Sequence, residues 1–131
     1  MTTQSTASSP LPGFLLVAKP SGMTAHDVVD AIRRTLGTRQ VGHSGTLDPL
    51  ASGLLILGVG RATKDLGRFL RLPKTYEAEI RLGATSTTDD TEGRIEGSGD
   101  KEQGTGAAPT QADVESVIQE FQGTIEQVPP A

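Results

Sequence analysis

At 131 residues the chain has the size of one domain, with 34% hydrophobic residues but only three Phe and one Tyr, so one globular unit with a modest core is expected. Cysteine is absent, which excludes disulfides, thiolate nucleophiles and zinc sites built on sulfur. The net charge of −4 is unevenly spread: Phe14 to Arg81 holds ten Lys and Arg against six Asp and Glu, whereas Leu82 to Ala131 holds two against ten. An acidic whole argues weakly against a nucleic-acid partner, but the first two thirds form a basic surface.

The opening residues, "MTTQSTASSPLPG", have neither a basic start nor an apolar run, so residues 1–12 are expected to be a disordered tail and not a targeting segment. No stretch approaches the roughly 20 apolar residues of a membrane span, and a cytoplasmic setting is the expectation. "GFLLVAKPSG" predicts a short strand, Phe14 to Ala18, stopped by Pro20 and Gly22. A helix follows, because Thr24 and Asp27 have the spacing of a capping box, and Ala25, Val28, Val29, Ile32 and Leu36 recur at helical spacing before Gly37.

A glycine-spaced loop, "VGHSGTLDPLASGLL", comes next. "GLLILGVG" is an apolar run without alternation, as expected of a strand covered on both faces, and "RATKDLGRFL" sets Ala62, Leu66, Phe69 and Leu70 along one side of a short helix. "TYEAEIRLG" alternates, with Tyr76, Ala78, Ile80 and Leu82 opposed to Glu77, Glu79 and Arg81, and reads as a half-buried strand with Tyr76 facing inward. "ATSTTDDTEGRIEG" reads as a polar loop closing into a turn at Gly93, and the low-complexity stretch over residues 97–109 as mobile. A last helix opens on a second capping box, Thr110 and Asp113, and carries Val114, Val117, Ile118 and Phe121 on one face. "TIEQVPPA" has the look of the start of another strand. Strands and helices mixed without a regular βαβ rhythm favour an α+β sheet.

The loop offers four side chains to chemistry: His43, Ser44, Thr46 and Asp48. Ser44 lies between Gly42 and Thr46, one residue out of step with a Gly-x-Ser-x-Gly nucleophile elbow. A phosphate-cradling Gly-x-x-x-x-Gly-Lys-Ser/Thr loop is absent. His43 and Asp48 lack a third ligand at close spacing, so a metal site is incomplete. Asp48 remains with two readings, a carboxylate that caps its own turn before Pro49 and a nucleophile or base beside a basic surface. His43, Tyr76 and Lys64 likewise have bland readings, as a hydrogen-bonded loop histidine, a core aromatic and a solvated helix residue.

At these residues the sequence is similar to a known family. "VGHSGTLDPLASGLLILGVGRATK" resembles the catalytic motif of the TruB-type tRNA pseudouridine synthases, and "LLVAKPSGMTAHDVVDAIRR", "KTYEAEIRLGATSTTDDTEG" and "FQGTIEQVPPA" extend the resemblance from about Gly13 to Ala131. It implies a pseudouridine-synthase-like fold, an α+β arrangement whose mixed, mainly antiparallel sheet is flanked by helices. It implies an isomerase that converts a specific uridine in the T-loop of tRNA to pseudouridine without metal or cofactor; the sequence leaves the oligomeric state open, with a monomer as the expectation.

Within that resemblance Asp48 is implied as the nucleophile, at the ribose anomeric carbon or on the uracil ring. The target lies in folded RNA and has to be flipped out, with His43 implied to stack in the vacated space and Tyr76 implied as a second catalytic residue that stacks on the uracil and relays a proton. Arg33, Arg34, Arg39, Arg61, Lys64, Arg68, Arg71 and Lys74 are implied as the basic surface for the phosphate backbone, and Lys19 as packing near the floor of the site. Family members run to more than twice this length, and their later half supplies an Arg for the catalytic carboxylate, more of the sheet and an RNA-binding module. The chain is therefore expected to be the N-terminal portion of such an enzyme, residues 13–131. A catalytically silent RNA-binding or assembly fragment of the same fold is the alternative. The presence of Asp48, His43 and Tyr76 together speaks against it, since a binding module has no need of a carboxylate facing phosphates.

Overall fold

A computed structural model describes residues 11–96 and 109–127. The expected tail over residues 1–12 and the expected mobile stretch over residues 97–109 lie outside these residues, apart from Leu11, Pro12 and Pro109. The chain divides into two compact units, Met1–Glu77 and Ala78–Ala131, where composition led to the expectation of one.

The first unit is a three-stranded antiparallel sheet in the order β1-β3-β2, with β1 at Gly13–Lys19, β2 at Val41–His43 and β3 at Gly53–Val59. Its central strand is the apolar run, and the pairing of β1 with β3 runs without a bulge from Gly13 opposite Val59 to Lys19 opposite Gly53. Directly opposed residues in an antiparallel pair share a face. Val17 with Leu55, Leu15 with Leu57 and Val41 with Val59 therefore share one side, and helix α1, Ala25–Leu36, covers it except at Leu15, which is exposed. The core there consists of Ala25, Val28, Val29, Val41, Leu55, Leu57 and Val59, with Val17, Met23, Ile32 and Leu36 packed around it. Full burial of side chains such as Leu57 stabilises by about 1.5–3 kcal/mol each.

α1 starts and stops where its ends are satisfied. The Thr24 hydroxyl accepts from the Asp27 amide at 3.0 Å, and the Asp27 carboxylate accepts from the Thr24 amide at 2.8 Å, which completes the capping box. Gly37, in the left-handed conformation, ends the helix by donating its amide to the Arg33 carbonyl.

The other face of the sheet is covered only in part, which corrects the expectation of a strand enclosed on both sides. A 3₁₀ helix at Gly60–Asp65 and the short α2, Gly67–Leu70, fold back over the end of β3 near Val59. A Cβ on Gly58 would meet the Ala62 carbonyl oxygen and the Thr63 amide nitrogen at 3.0 Å, so glycine is what lets the two backbones approach. Ala62 and Leu66 are buried there, and Phe69 packs edge-on against Phe14 with ring centroids 4.8 Å apart. Towards the start of β3 this face is open, leaving Leu54 and, diagonally across on β1, Leu16 exposed.

Tyr76 to Leu82 form no strand, and Tyr76 is 69% exposed instead of facing inward. Alternation supplies a strand with two faces but not with a partner, and no described residue pairs with this segment.

In the second unit, β4 at Thr85–Ser86 pairs with β5 at Ile95–Glu96 in a short hairpin. Within its turn Asp90 accepts from the Thr88 hydroxyl at 2.6 Å and the Glu92 amide at 2.9 Å, which holds the Asp90 carboxyl below its ordinary range. α3, Gln111–Gln119, follows the second capping box as expected, but Val117, Ile118 and Phe121 are exposed and not packed. Residues 124–127 form no strand.

Two outcomes are expected from this architecture. Gly58→Ala forces the 3₁₀ helix off the sheet and costs about 1–3 kcal/mol in denaturant unfolding. The bond from the Thr24 hydroxyl, followed by that from its amide, holds the Asp27 carboxyl below its ordinary 3.8. Because the folded value is the lower one, the contribution of Asp27 is present above the unfolded value and is lost as pH falls through the folded value. Asp27→Asn lacks that acid loss, so its stability falls less steeply with pH below about 4 than that of the parent.

Candidate active-site loop

The residues between β2 and β3 form the loop that carries Asp48, and its two ends are set by the sheet. Gly42 and His43 pair with Gly58 and Leu57 on the way in, and Ser44, itself buried, donates its amide to the Ile56 carbonyl at 2.9 Å. The loop then turns at Asp48, whose carbonyl accepts from the Ala51 amide at 3.0 Å, and it re-enters the sheet at Gly53 beside Lys19. The Asp48 carboxylate is exposed and takes part in none of these bonds, so the turn does not rest on it. Ser44 acts through its backbone, which fits a loop-shaping role.

The other half of the site is the turn after β1. Lys19 is 1% exposed, and its Nζ donates to the carbonyls of Met23 at 2.6 Å, Pro20 at 3.1 Å and Pro49 at 3.4 Å. A lysine ammonium has three protons and no acceptor, so three carbonyls satisfy it fully. The Gly22 amide donates to the same Pro49 carbonyl at 2.7 Å, and the Ser21 hydroxyl to the Leu50 carbonyl at 2.8 Å. The two residues after Asp48 are thus tied through their carbonyls to Lys19, Ser21 and Gly22. Where the resemblance implied packing near the floor of the site, Lys19 forms a polar knot.

His43 is half-buried at the end of β2, with Nδ1 2.5 Å from the Gly45 carbonyl oxygen. His43 and Asp48 are therefore held on one pinned loop. Tyr76 is not joined to it by any hydrogen bond among the described residues, and it stands on an exposed segment without regular structure.

The cations divide into two groups. Arg34, Arg39, Arg61, Lys64, Arg68 and Arg71 are exposed. Arg33 is turned inward: its guanidinium donates to Asp30 at 3.0 Å and to the Val41 carbonyl at 3.0 Å, so it joins α1 to β2. Lys74 folds back on the carbonyls of Leu70 and Leu72 at 2.8 and 3.2 Å. Among the described residues no group of three His, Asp or Glu could hold a metal ion, and no helix is long and apolar enough to cross a membrane.

The sequence profile of the TruB family pseudouridylate synthase (N terminal domain) matches residues 33–131, which takes in the whole Asp48 loop. The chain belongs to the TruB family. The tRNA pseudouridine synthase B of Corynebacterium diphtheriae is 48% identical over 119 residues, 91% of this chain and 39% of that relative. Its namesake from Mycolicibacterium paratuberculosis is 49% identical over 118 residues, 90% of this chain and 39% of that relative. That of Corynebacterium glutamicum is 52% identical over 89 residues, 68% of this chain and 30% of that relative. The chain thus spans well under half the length of these relatives. The antiparallel sheet with its flanking helices is the α+β architecture expected for this part of a TruB protein.

Lys19→Met keeps the length and apolar stem of the side chain but leaves the Met23 and Pro20 carbonyls without their donor. A loss of about 2–3 kcal/mol in unfolding free energy is expected, measured by urea titration.

Proposed function

We propose that this chain is the Asp48-bearing portion of an enzyme that isomerises a specific uridine in the T-loop of tRNA to pseudouridine. The observation that carries the reading is an exposed carboxylate on a loop pinned on both sides by backbone bonds, none of which uses that carboxylate. A turn that needed its aspartate as a cap would engage it. The names of the relatives support tRNA as the substrate class and pseudouridine as the product.

The target uridine is extruded from its stack, and Asp48 attacks the nucleotide. The bond between N1 and the ribose anomeric carbon breaks, and the uracil turns within the pocket. The anomeric carbon then bonds to C5 as the Asp48 adduct breaks down; C5 gives up its proton and N1 takes one up. The product is an isomer of the substrate, so neither oxidant nor group donor enters. A carboxylate suits the task because it can form and leave an adduct or stabilise cationic character at the sugar.

Arg34, Arg39, Arg61, Lys64, Arg68 and Arg71 supply free positive charge for the RNA backbone, whereas Arg33 serves the fold. Lys74 has its ammonium turned to its own chain, and its part in RNA binding is correspondingly smaller. His43 stacks where the base was, and Tyr76 reaches the uracil from its exposed segment. The reaction belongs to the cytoplasm, where tRNA is processed, and a single copy carries it out.

The test uses the whole protein that carries this chain. Asp48→Asn is expected to bind T-arm RNA with the affinity of the parent while pseudouridine formation falls by on the order of 10³-fold or more. Turnover by that variant at near the parental rate, read by nucleoside analysis of the RNA, contradicts the assignment.

A further inference from the structure

The contact between His43 Nδ1 and the Gly45 carbonyl oxygen decides which ring nitrogen carries the proton. A carbonyl oxygen only accepts, so Nδ1 donates, and in the neutral ring Nε2 is left with its lone pair. Gly45 sits at φ 122°, a conformation that side-chain-bearing residues rarely adopt, and the residue before it is held to Ile56 through its amide. The ring is therefore tethered to its own loop by one edge. Nε2, on the opposite edge, makes no hydrogen bond among the described residues and is not one of the sealed, unpartnered polar atoms of the fold.

We propose that the Gly45 carbonyl fixes His43 as the Nδ1–H tautomer so that Nε2 accepts a hydrogen bond from the target nucleotide. The proposal rests on the reading of the chain as part of an RNA-modifying enzyme and gives His43 a polar contact in addition to stacking. It also separates His43 in kind from the arginines proposed to meet the RNA backbone. A phosphate diester offers only acceptors, so a ring presenting a lone pair has nothing to give it. A flipped uridine carries two donors, the ribose 2′-hydroxyl and the base N3–H, and either can meet an acceptor at the pocket wall.

The first measurement is histidine-selective ¹⁵N NMR of the whole RNA-free protein. His43 is expected to show Nδ1 as the protonated nitrogen and Nε2 as the bare one, and the reverse pattern overturns the proposal. The second is binding of T-arm RNA carrying uridine, 2′-deoxyuridine or N3-methyluridine at the target, in an Asp48→Asn background so that no turnover intervenes. One of the two analogues is expected to weaken binding about tenfold when His43 is present. The same analogue weakens it no more than about twofold in His43→Asn, whose amide reaches Gly45 but leaves nothing at Nε2. A loss with 2′-deoxyuridine assigns the ribose and a loss with N3-methyluridine assigns the base. No loss with either analogue in the His43 protein, a comparison that does not require the variant to fold, overturns the contact. Failure of the protein to bind the RNA at all overturns the proposed function and this contact together. It is told apart from failure of the contact alone because there the natural RNA still binds.

Discussion

One buried ammonium organises the site. Taking a lysine head group out of water is tolerable only if each of its protons finds an acceptor, and Lys19 finds them in Met23, Pro20 and Pro49. Two of these carbonyls belong to the turn that leads into α1, and the third follows Asp48. The requirement of a single side chain therefore brings together two segments 30 residues apart in sequence. The Gly22 amide on Pro49 and the Ser21 hydroxyl on Leu50 reinforce the same junction. Pairing of β1 with β3 places Lys19 opposite Gly53, so the knot and the sheet register require one another.

The functional consequence is that the Asp48 carboxylate is left with no structural duty. Its loop is held by backbone bonds at Ser44, Asp48 and Pro49 and by the knot below, and the side chain is free to face a substrate. In the proposed reaction, a preformed loop spares the ordering cost that a mobile nucleophile would carry. The cations divide in the same way: Arg33 ties α1 to β2 and thereby steadies the strand that ends in His43, while Arg34, Arg39, Arg61, Arg68 and Arg71 stay exposed.

Features that depend on near neighbours in sequence were legible. Both capping boxes are formed by residues three apart, and both helices start where Thr24 and Thr110 predict. The strand at Gly53–Val59 follows from seven residues of apolar sequence with turn residues on either side. What failed depended on distant partners. The alternation around Tyr76 describes a face without saying what covers it, and Arg33 is indistinguishable from Arg34 until the Val41 carbonyl lies beside it. Lys19 was legible only through the resemblance, as packing near the floor of the site. Its link to Pro49 exists only once the sheet has folded. Asp48 itself could be narrowed by spacing to a cap or a catalyst, and the resemblance to the TruB enzymes went further than the residues could.

Whether the Asp48 loop is built before any substrate binds is tested most directly by amide hydrogen exchange in the RNA-free protein. The Gly22 amide, which donates to Pro49 across the junction, is expected to exchange as slowly as the central β3 amides such as Leu57, because only unfolding of the sheet releases it. Exchange of Gly22 at the rate of an open turn, with Leu57 still protected, contradicts the account, since the loop would then be shaped by its substrate and not by Lys19.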